Sequence, residues 1–314
     1  MRTIGIDDIK AAIGSVDIIP SIEAGFVAYS EGRAVVPPVG ELIFKDPPGD
    51  VHIKYGYLID DDVYVIKIAS GFYHNPALNL PSGNGLMLLF DQKTGQLLSI
   101  LLDQGYLTDL RTAAAGAIAA KYLAPQCVQR IGIVGTGTQA RLQLQFLRGV
   151  TDCRDVSAWG RDPTKLAAYC EEMKNEGFFI QPTLDIAEVA ASCNLIVTAT
   201  AATAPLLLEE QIRPGTHITA MGSDTPDKQE LDPAILHKAD LIVADSISQC
   251  MERGEIAHAL RVGLVRPSGL VELGHIISGQ APGRTLAEQI TIADLTGVAV
   301  QDIAIAKAVY EAIG

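Results

Sequence analysis

A glycine-rich loop between an apolar segment and a helical one is the pattern with the clearest chemistry in this chain. The apolar segment, residues 131–134, ends in Gly135-x-Gly137-x-x-Ala140. The first glycine permits a tight turn, the second lets the backbone approach a pyrophosphate, and the small third residue lets the helix pack on the strand. Free N–H groups at the helix start then attract the anion. The loop predicts a dinucleotide site that also includes Thr136, Thr138 and Gln139.

The end of the next predicted strand, about twenty residues beyond the glycines, indicates which dinucleotide binds. NAD sites usually place Asp or Glu there, where the carboxylate accepts a hydrogen bond from the ribose 2′-hydroxyl. Here Gly160 occupies the position, Arg161 follows it, and Lys165 stands four residues further on. The missing acid and the cations suit a 2′-phosphate, so we predict that NADPH is preferred. Asp162 keeps NAD(H) possible as the cofactor.

An acidic residue follows another apolar run, in the segment Gly222-Ser223-Asp224-Thr225-Pro226. Residues 217–221 are typical of a buried strand, and ligands of parallel sheets bind at the carboxyl ends of the strands. A carboxylate at such an end can give or take a proton. A surface turn would use the same residue types, but the strand end favours a catalytic Asp224. The direction in which it moves the proton stays open.

Two successive residue patterns in the sequence predict the elements that position these residues. Residues 1 to about 108 predict two helices followed by β-hairpins, with turns at Asp60-Asp61-Asp62 and Lys93-Thr94-Gly95. An alanine-rich helix then begins, with Thr108 or Asp109 as its N-cap. After Pro125, short apolar runs alternate with helical stretches, as in a parallel sheet covered on both faces. The tail predicts a final helix.

The predicted architecture is an α/β fold with a Rossmann-type, doubly wound parallel sheet, plus an α+β substrate and dimerisation domain. Residues 1-124 with 295-314 are expected to form the substrate domain, and residues 125-294 the dinucleotide-binding domain. The alternation of strands and helices supports the second assignment, because parallel strands need helical crossovers.

Composition narrows the class of protein. Of the 314 residues, 48% are hydrophobic and 19% charged, which indicates a folded globular chain. The net charge of −13 disfavours nucleic acid and anionic membrane as partners. Five widely spaced cysteines without a C-x-x-C pair predict reduced thiols and no metal site. No signal peptide or membrane helix is predicted, so we expect a soluble cytoplasmic protein.

Four segments, taken in order, resemble the ornithine cyclodeaminase/mu-crystallin family. They are LTDLRTAAAGAIAAKYLAP (107–125), RIGIVGTGTQA (130–140), GSDTPDKQELD (222–232) and GVAVQDIAIAKA (297–308). The resemblance spans nearly the whole chain. It implies an N-terminal substrate domain that forms a homodimer, a dinucleotide domain, and hydride transfer between a nicotinamide and a small-molecule 2-amino or 2-imino acid.

The resemblance also implies roles for single residues. Lys67 and Arg111 match family residues that meet the substrate carboxylate, and Asp224 matches the catalytic acid/base, with Lys67 beside it in the catalytic set. A guanidinium can grip a carboxylate through two hydrogen bonds, and a lysine adds a point charge. The positions matched to the cofactor are Gly135, Gly137 and Arg161, then Thr198 and Thr200 near the ribose, and Gly297 near the nicotinamide.

Two positions depart from the family pattern. Many members carry an arginine near residue 40 as a further carboxylate ligand, but Gly40 stands here. Ornithine cyclodeaminase has a glutamate thirteen residues before the lysine matched by Lys67, and here that count reaches Lys54. A cation there should repel a diamino acid, or it could replace the missing arginine as a substrate ligand. Either way, ornithine is disfavoured as substrate.

We therefore expect an NAD(P)H-dependent reductase of a cyclic ketimine such as pyrroline-2-carboxylate, which would be reduced to proline. The alternatives are ornithine cyclodeaminase, alanine dehydrogenase, and a non-catalytic mu-crystallin-like binder of NADPH and a ligand. Asn84 is a further candidate substrate contact, although the Gly and Pro residues around it equally describe a loop. Glu255 and His258 are interpreted as an exposed pair on a helix.

Overall fold

A computed structural model describes residues 1–72 and 74–314 of the chain. Contacts divide these residues into two compact units. The first unit is Met1–Arg111 with Val298–Gly314, and the second is Thr112–Gly297. The sequence assigned substrate binding to one domain and dinucleotide binding to the other. Those two domains and their limits stay a prediction.

The first unit contains a mainly antiparallel sheet whose strands are β1 (Arg2–Ile4), β2 (Ala34–Val35), β3 (Gly40–Lys45), β4 (Pro48–Leu58), β5 (Val63–Phe72), β6 (Gly83–Asp91) and β7 (Leu97–Leu101). Across the described residues the order is β1-β7-β6-β5-β4-β2, and β3 also pairs with β4. Its helices are α1 (Ile6–Ile13), α2 (Ile19–Ser30) and α11 (Val300–Ile313), and the long helix α3 (Tyr106–Leu123) begins here.

Both hairpins predicted from the turn residues are present, as β4 with β5 and β6 with β7. In the second turn, Asp91 Oδ1 accepts hydrogen bonds from the backbone N–H groups of Lys93 and Thr94, which explains why an acid opens it. Strand β1, which runs parallel to β7, and strand β3 were not predicted. Each pairs through its backbone with a strand that the hairpin pattern had already identified.

Helix α11 packs on α2 and on the face of the sheet formed by β4 and β5. Seven of its fourteen residues are apolar and buried, so its packing contributes hydrophobic stabilisation to this unit. In β5, Val63, Val65 and Lys67 alternate with less buried residues, which places Lys67 on the covered face. The final helix predicted from the sequence thus closes the face that carries this lysine.

Helix α3 starts earlier than the sequence predicted. Its first residue is Tyr106, and the buried Asp103 accepts a hydrogen bond from the N–H of Leu107 at 2.9 Å. The expected N-caps, Thr108 and Asp109, are therefore wrong, because an acid ahead of them already satisfies a first-turn donor. Arg111 consequently lies in the second turn rather than at the helix start.

The second unit contains a parallel sheet formed by β8 (Ile131–Val134), β9 (Asp155–Trp159), β10 (Phe179–Thr183), β11 (Leu195–Thr198), β13 (His217–Ala220), β15 (Leu241–Ala244), β16 (Leu270–Glu272) and β17 (Thr291–Asp294). Strands β12 (Thr203–Leu207) and β14 (Gln229–Leu231) form a small separate pair. The helices are α4 (Thr138–Phe146), α5 (Pro163–Asn175), α6 (Ile186–Ser192), α7 (Pro233–Lys238), α8 (Ile247–Cys250), α9 (Gly254–Arg261) and α10 (Leu273–Ile277).

The strand order of this sheet is β10-β9-β8-β11-β13-β17-β15-β16, which confirms the predicted α/β fold with a doubly wound, Rossmann-type sheet. From β8 the chain adds β9 and β10 on one side and then places β11 on the other. The order therefore reverses between β8 and β11, which is where open α/β sheets bind ligands, at the carboxyl ends of the strands. In the described residues, no helix is both long and apolar enough to cross a membrane.

Candidate active site

The first unit buries a cluster of charged side chains around Asp302 of α11. Lys67 Nζ lies 3.2 Å from Asp302 Oδ2, and Arg111 Nε lies 3.0 Å from Oδ1. Arg111 also donates from NH1 to Oε1 of Gln301 at 3.1 Å. All four side chains are buried, so β5, α3 and α11 bring together two residues that the sequence assigned to a substrate carboxylate.

Burial governs the protonation of Lys67, which is 2% exposed. Its pKa is lowered to about 7, mainly by burial, with Asp302 opposing the shift and the charges of Arg111 and Lys54 adding to it. For Asp302 itself, burial acts to raise the pKa, but the surrounding cations outweigh it and the pKa lies below its usual value. The carboxylate is thus ionised and surrounded by positive charge.

Lys54 joins this cluster through the strand register. It lies directly opposite Lys67 in the β4–β5 pair and is buried, so the count of thirteen residues across the hairpin identifies a true neighbour. Two like charges opposite each other on a sheet repel. Gly40, on β3, pairs with Ile53 of β4, the residue that precedes Lys54. A cation at Lys54 therefore stands near the strand where other family members are expected to carry an arginine.

Asn84 does not join the cluster. It lies near the exposed start of β6, opposite Ser70, and its side-chain oxygen accepts a hydrogen bond from the N–H of Gly85 at 2.7 Å. Lys67 pairs with Met87 on the same strand. Because side chains alternate between faces, Asn84 and Lys67 lie on opposite faces of the sheet.

In the second unit, the glycine loop follows β8 at the reversal of strand order. Gly135 has a φ of +124°, and a Cβ there would lie 2.7 Å from the carbonyl oxygen of Ala199, so only glycine fits. A Cβ on Gly137 would meet no described atom within 4 Å. Arg141 holds the loop from behind, donating to the carbonyl oxygens of Thr136 and Gly137. Arg141 thus fixes the loop backbone, and the space beside Gly137 is open.

The helix after this loop also fits a pyrophosphate. Helix α4 starts at Thr138 with Gly137 as its N-cap, a residue that has no side chain to cap this end. Gly137 and Thr138 are exposed, Gln139 is half-buried, and Ala140 is buried. The N–H groups of the first turn and the positive end of the helix dipole can therefore receive an anion. The residues present fit a dinucleotide.

The end of β9 has no room for a side chain. A Cβ on Gly160 would lie 2.6 Å from Cγ2 of Thr136, so the glycine loop itself occupies the place of the usual acid. Asp162 caps helix α5, and its Oδ1 accepts from the N–H groups of Thr164 and Lys165. Arg161 and the side chain of Lys165 are exposed. The one nearby acid is committed to a helix, and the cations face solvent.

Thr198 and Thr200 lie at the carboxyl end of β11 and share a partner that sequence reasoning missed. The Thr198 hydroxyl donates to Glu230 Oε2, and the Thr200 N–H donates to Oε1, both at 2.6 Å. The N–H of Gly222, after β13, also donates to Oε2 at 2.9 Å. Glu230 is fully buried. The Thr198 hydroxyl is thus directed inward, and Thr200 is positioned through its backbone.

Asp224 lies in the loop after β13, and helix α9 fixes that loop. Lys228 Nζ lies 2.7 Å from Asp224 Oδ1, and Arg253 donates to the carbonyl oxygen of Asp224 at 3.5 Å. His258 donates from Nε2 to the carbonyl oxygen of Lys228 at 2.9 Å. The carboxylate that the sequence predicted as an acid or base is therefore partly exposed, paired with a lysine, and held on a braced loop.

Glu255 is not the exposed residue that the sequence suggested. It is completely buried, and its two carboxylate oxygens accept the N–H groups of Glu230 and Leu231 at 2.8 and 3.1 Å. His258 is partly buried and contacts the Asp224 loop. The interpretation of these two residues as a solvated pair was wrong, because each satisfies backbone groups at the carboxyl edge of the sheet.

Gly297 is positioned by another buried acid. It has a φ of +85°, and its N–H donates to Asp245 Oδ2 at 2.6 Å. Asp294, at the end of β17, accepts the N–H of Ile256 at 2.8 Å and so supports the start of α9. Burial, followed by the charge of Asp245, raises the pKa of Asp294 to about 8.

Within residues 1–72 and 74–314, no group of His, Cys, Asp or Glu is arranged to hold a metal ion.

Sequence reasoning missed Asp302, Gln301 and Glu230, and only two of them left a signal. Gln301 and Asp302 form a buried polar pair among the apolar residues of the first turns of α11. A charged residue there is unusual, because carboxylates are rarely buried without partners. Glu230 stands among polar neighbours in a short segment, so its burial could not be predicted from residue type.

Known proteins resemble this chain along nearly its whole length. The model of the ornithine cyclodeaminase/mu-crystallin family matches residues 5–314. The chain is 43% identical to an uncharacterized cyclodeaminase of Sinorhizobium fredii over 298 residues, covering 94% of this chain and 90% of the relative.

Solved structures show the same fold. An archaeal alanine dehydrogenase dimer with bound NAD is 34% identical and superimposes with a TM-score of 0.90, covering 99% of this chain and 95% of that one. The Thermococcus litoralis Δ1-pyrroline-2-carboxylate reductase in complex with NADH and L-proline is 29% identical, with a TM-score of 0.93 and coverage of 99% and 97%.

Proposed function

Because the chain belongs to the ornithine cyclodeaminase/mu-crystallin family, we propose that it is an NAD(P)-dependent oxidoreductase acting on a 2-imino or 2-amino acid. The observation that carries this proposal is the buried cluster in which Lys67 and Arg111 share the carboxylate of Asp302. Such a cluster has a substrate-binding role in the proposal, since cations are costly to bury for stability alone.

The cluster suits the carboxylate of an imino acid. Lys54, Lys67 and Arg111 place three positive charges near the carboxylate of Asp302. An entering carboxylate would gain charge-assisted hydrogen bonds from a guanidinium and an ammonium. Asp302 then orients the two cations and limits their mutual repulsion. The free energy of desolvating these cations is offset most fully when the anionic substrate is bound.

The glycine loop, Thr200 and Gly297 would hold the dinucleotide. When bound, the nicotinamide supplies or accepts the hydride, and the protein orients it. The side chains of this chain handle the carboxylate and the proton. An imine accepts hydride faster when its nitrogen is protonated. In the proposal Asp224 gives that proton in the reductive direction, and Lys228 balances the charge that the carboxylate then carries.

The substrate that we propose is a cyclic ketimine such as pyrroline-2-carboxylate, reduced to proline. Lys54 supports this choice, since a buried ammonium opposite Lys67 disfavours the second amino group of ornithine. A cyclic imine carries one carboxylate and no free side-chain cation. The similarity to the T. litoralis pyrroline-2-carboxylate reductase supports the same substrate class.

NADPH is the cofactor that we propose, on the arrangement at the end of β9. Thr136 fills the space beside Gly160, and Asp162 is engaged as a helix cap. An acid for the ribose 2′-hydroxyl is thus lacking at that position, and Arg161 is exposed where it can pair with a 2′-phosphate. The solved relatives contain NAD or NADH, so the preference requires a direct measurement.

A screen of imino and amino acids with both cofactors, read at 340 nm, tests the function. We expect NADPH oxidation with pyrroline-2-carboxylate or piperideine-2-carboxylate. Proline and ammonia formed from ornithine without net NADH would instead indicate a cyclodeaminase, and pyruvate with ammonia would indicate an alanine dehydrogenase. No turnover with intact dinucleotide binding would indicate a binding protein.

Two variants make the screen specific to the proposed residues. Asp224→Asn should reduce kcat by about 100-fold or more, since it removes the proton donor, while dinucleotide affinity stays within about twofold of wild type. Asp227→Asn, in the same loop, is the matched control. Arg161→Ser should raise the KM for NADPH about tenfold and leave that for NADH unchanged. Equal effects on both cofactors would contradict the NADPH preference.

A further inference from the structure

Glu230 is a buried carboxylate that contacts both of the loops proposed to act at the site, although it lies on a separate short strand. It is fully buried, and it accepts hydrogen bonds from the Thr198 hydroxyl, the Thr200 N–H and the Gly222 N–H. The first two donors belong to the end of β11, and the third follows β13. These strands are neighbours in the sheet. One carboxylate therefore ties together the ends of two adjacent strands.

The space around this carboxylate is closed. A Cβ on Gly222 would lie 2.2 Å from the carbonyl oxygen of Thr200 and 2.6 Å from the Glu230 carboxyl group. The loop after β13 thus packs directly against the loop after β11, with Glu230 between them. Movement of either loop would break its own hydrogen bond to the carboxylate that the other loop also uses.

Glu230 is itself held by a second buried acid. The N–H groups of Glu230 and Leu231 both donate to Glu255, so the short strand β14 is attached to the first turn of α9. Asp294 accepts the N–H of Ile256 in the same turn. The position of the Glu230 carboxylate is therefore set by helix α9 as well as by its own strand.

We propose that Glu230 is a positioning residue for hydride transfer, which holds Thr200 and the Asp224 loop in one fixed arrangement at the carboxyl edge of the sheet. The proposal rests on the proposed function, because that function assigns Thr200 to the cofactor and Asp224 to the proton. In this proposal Glu230 does not itself bind the cofactor or the substrate. It acts by supplying one carboxylate to backbone donors from both loops.

Glu230→Gln tests this idea because it preserves shape and removes acceptor capacity. A carboxylate accepts through both oxygens, whereas an amide has one acceptor oxygen and one donor group. Whichever way the amide is turned, its NH₂ faces the N–H of Thr200 or of Gly222. A buried donor left without an acceptor is costly, so at least one loop must shift.

We expect Glu230→Gln to raise the Kd of the dinucleotide about tenfold, the cost of one unsatisfied buried donor. With saturating cofactor, kcat should also fall about tenfold or more, because a small displacement of a catalytic group is costly. The KM for the imino acid should stay within about twofold of wild type, since Glu230 is not one of the residues proposed to bind the substrate carboxylate. A purely structural role would not produce this split.

Asp240→Asn is the matched control. Asp240 Oδ2 accepts the N–H of Ile290 at 2.7 Å, so this variant perturbs a similar carboxylate-to-backbone bond at the amino ends of the strands. It should leave Kd and kcat unchanged. Thr198→Val removes only the hydroxyl donor and should give a smaller change in the same direction, about threefold in Kd, which keeps the test available if Glu230→Gln fails to fold.

The outcomes separate this proposal from the proposed function. If wild type binds dinucleotide but reduces no imine, the proposed function fails, and the Kd of the variants still tests Glu230. A folded Glu230→Gln variant with the Kd and kcat of Asp240→Asn would overturn the positioning role. If Glu230→Gln does not fold, an unchanged Kd in Thr198→Val would overturn it as well.

Discussion

At the scale of single residues, the protonation of Lys67 couples carboxylate binding to pH. Burial lowers its pKa to about 7, so the ligand-free side chain loses its charge as pH rises through neutrality. A bound carboxylate favours the charged form and raises the pKa. Affinity for a carboxylate ligand should therefore be greatest below pH 7 and should fall by up to about tenfold per pH unit above it.

Titration calorimetry with the product amino acid from pH 6 to pH 9 measures this dependence. Lys67→Arg keeps a positive charge throughout this range and should bind with an affinity that changes little with pH. A wild-type affinity that is constant across the range would contradict the coupling, as would a proton uptake of zero on binding at pH 8.

Asp302 contributes to the stability of the fold, because its carboxylate stabilises the buried cations around it. Asp302→Asn leaves Lys67 and Arg111 buried without their shared carboxylate, and we expect a loss of about 3 kcal/mol in the free energy of unfolding. The loss should be larger at pH 6, where Lys67 is charged, than at pH 9. Urea unfolding at both pH values checks this, with Asp109→Asn as the control. Equal losses would contradict a change in the charge of Lys67 between these two pH values.

At the scale of elements, buried acids replace the regular hydrogen bonds that loops lack. Glu230 accepts hydrogen bonds from the ends of β11 and β13, and Glu255 accepts them from β14. Asp245 accepts one from Gly297, and Asp294 accepts one from α9. Each accepts backbone N–H groups at the carboxyl edge of the sheet. A carboxylate can accept several such donors at once, so a few acids hold many loop segments in place.

Asp294 should make stability depend on pH. Its pKa rises from 3.8 to about 8 in the folded chain, first because it is buried. The folded state keeps this proton while the unfolded state releases it, so the contribution of Asp294 to stability is complete below about pH 4 and is lost as pH rises to about 8. Asp294→Asn is neutral throughout and should flatten the decline in unfolding free energy between pH 5 and pH 8.

Urea unfolding at several pH values compares Asp294→Asn with wild type, and Asp240→Asn provides a carboxylate control from the same sheet. The difference between variant and wild type isolates this group from the other buried acids, Glu230 and Glu255, whose pKa values burial also raises. Parallel pH profiles for the two proteins would rule out a proton held by Asp294.

Local patterns predicted most of the elements, and pairings distant in sequence explain what they missed. The hairpins could be predicted because Asp91 and its turn partners are adjacent, and the glycine loop because its strand and helix flank it. Arg111 meets Gln301 across 190 positions, so their partnership has no local signal. Gly160 was recognised as a missing acid, but its cause is a contact with Thr136 that the sequence does not display.

At the scale of the whole molecule, strand β3 indicates how two chains would associate. Leu42, Ile43 and Phe44 are 55%, 66% and 42% exposed, and β3 pairs with β4 along one side. A hydrophobic edge strand left open to solvent is an aggregation hazard that proteins normally cover. We expect a second copy of the chain to cover it, which would give the homodimer that the sequence predicted.

Light scattering coupled to size exclusion should therefore give twice the mass of one chain for wild type. Ile43→Lys should shift the mass towards that of one chain, because a charge buried at the interface has no partner there. Phe179→Lys alters an equally exposed apolar residue, 71% exposed and in the other unit, and should leave the dimer intact. If Ile43→Lys remained dimeric while Phe179→Lys dissociated, the interface would lie on the second unit, and β3 would require a different explanation.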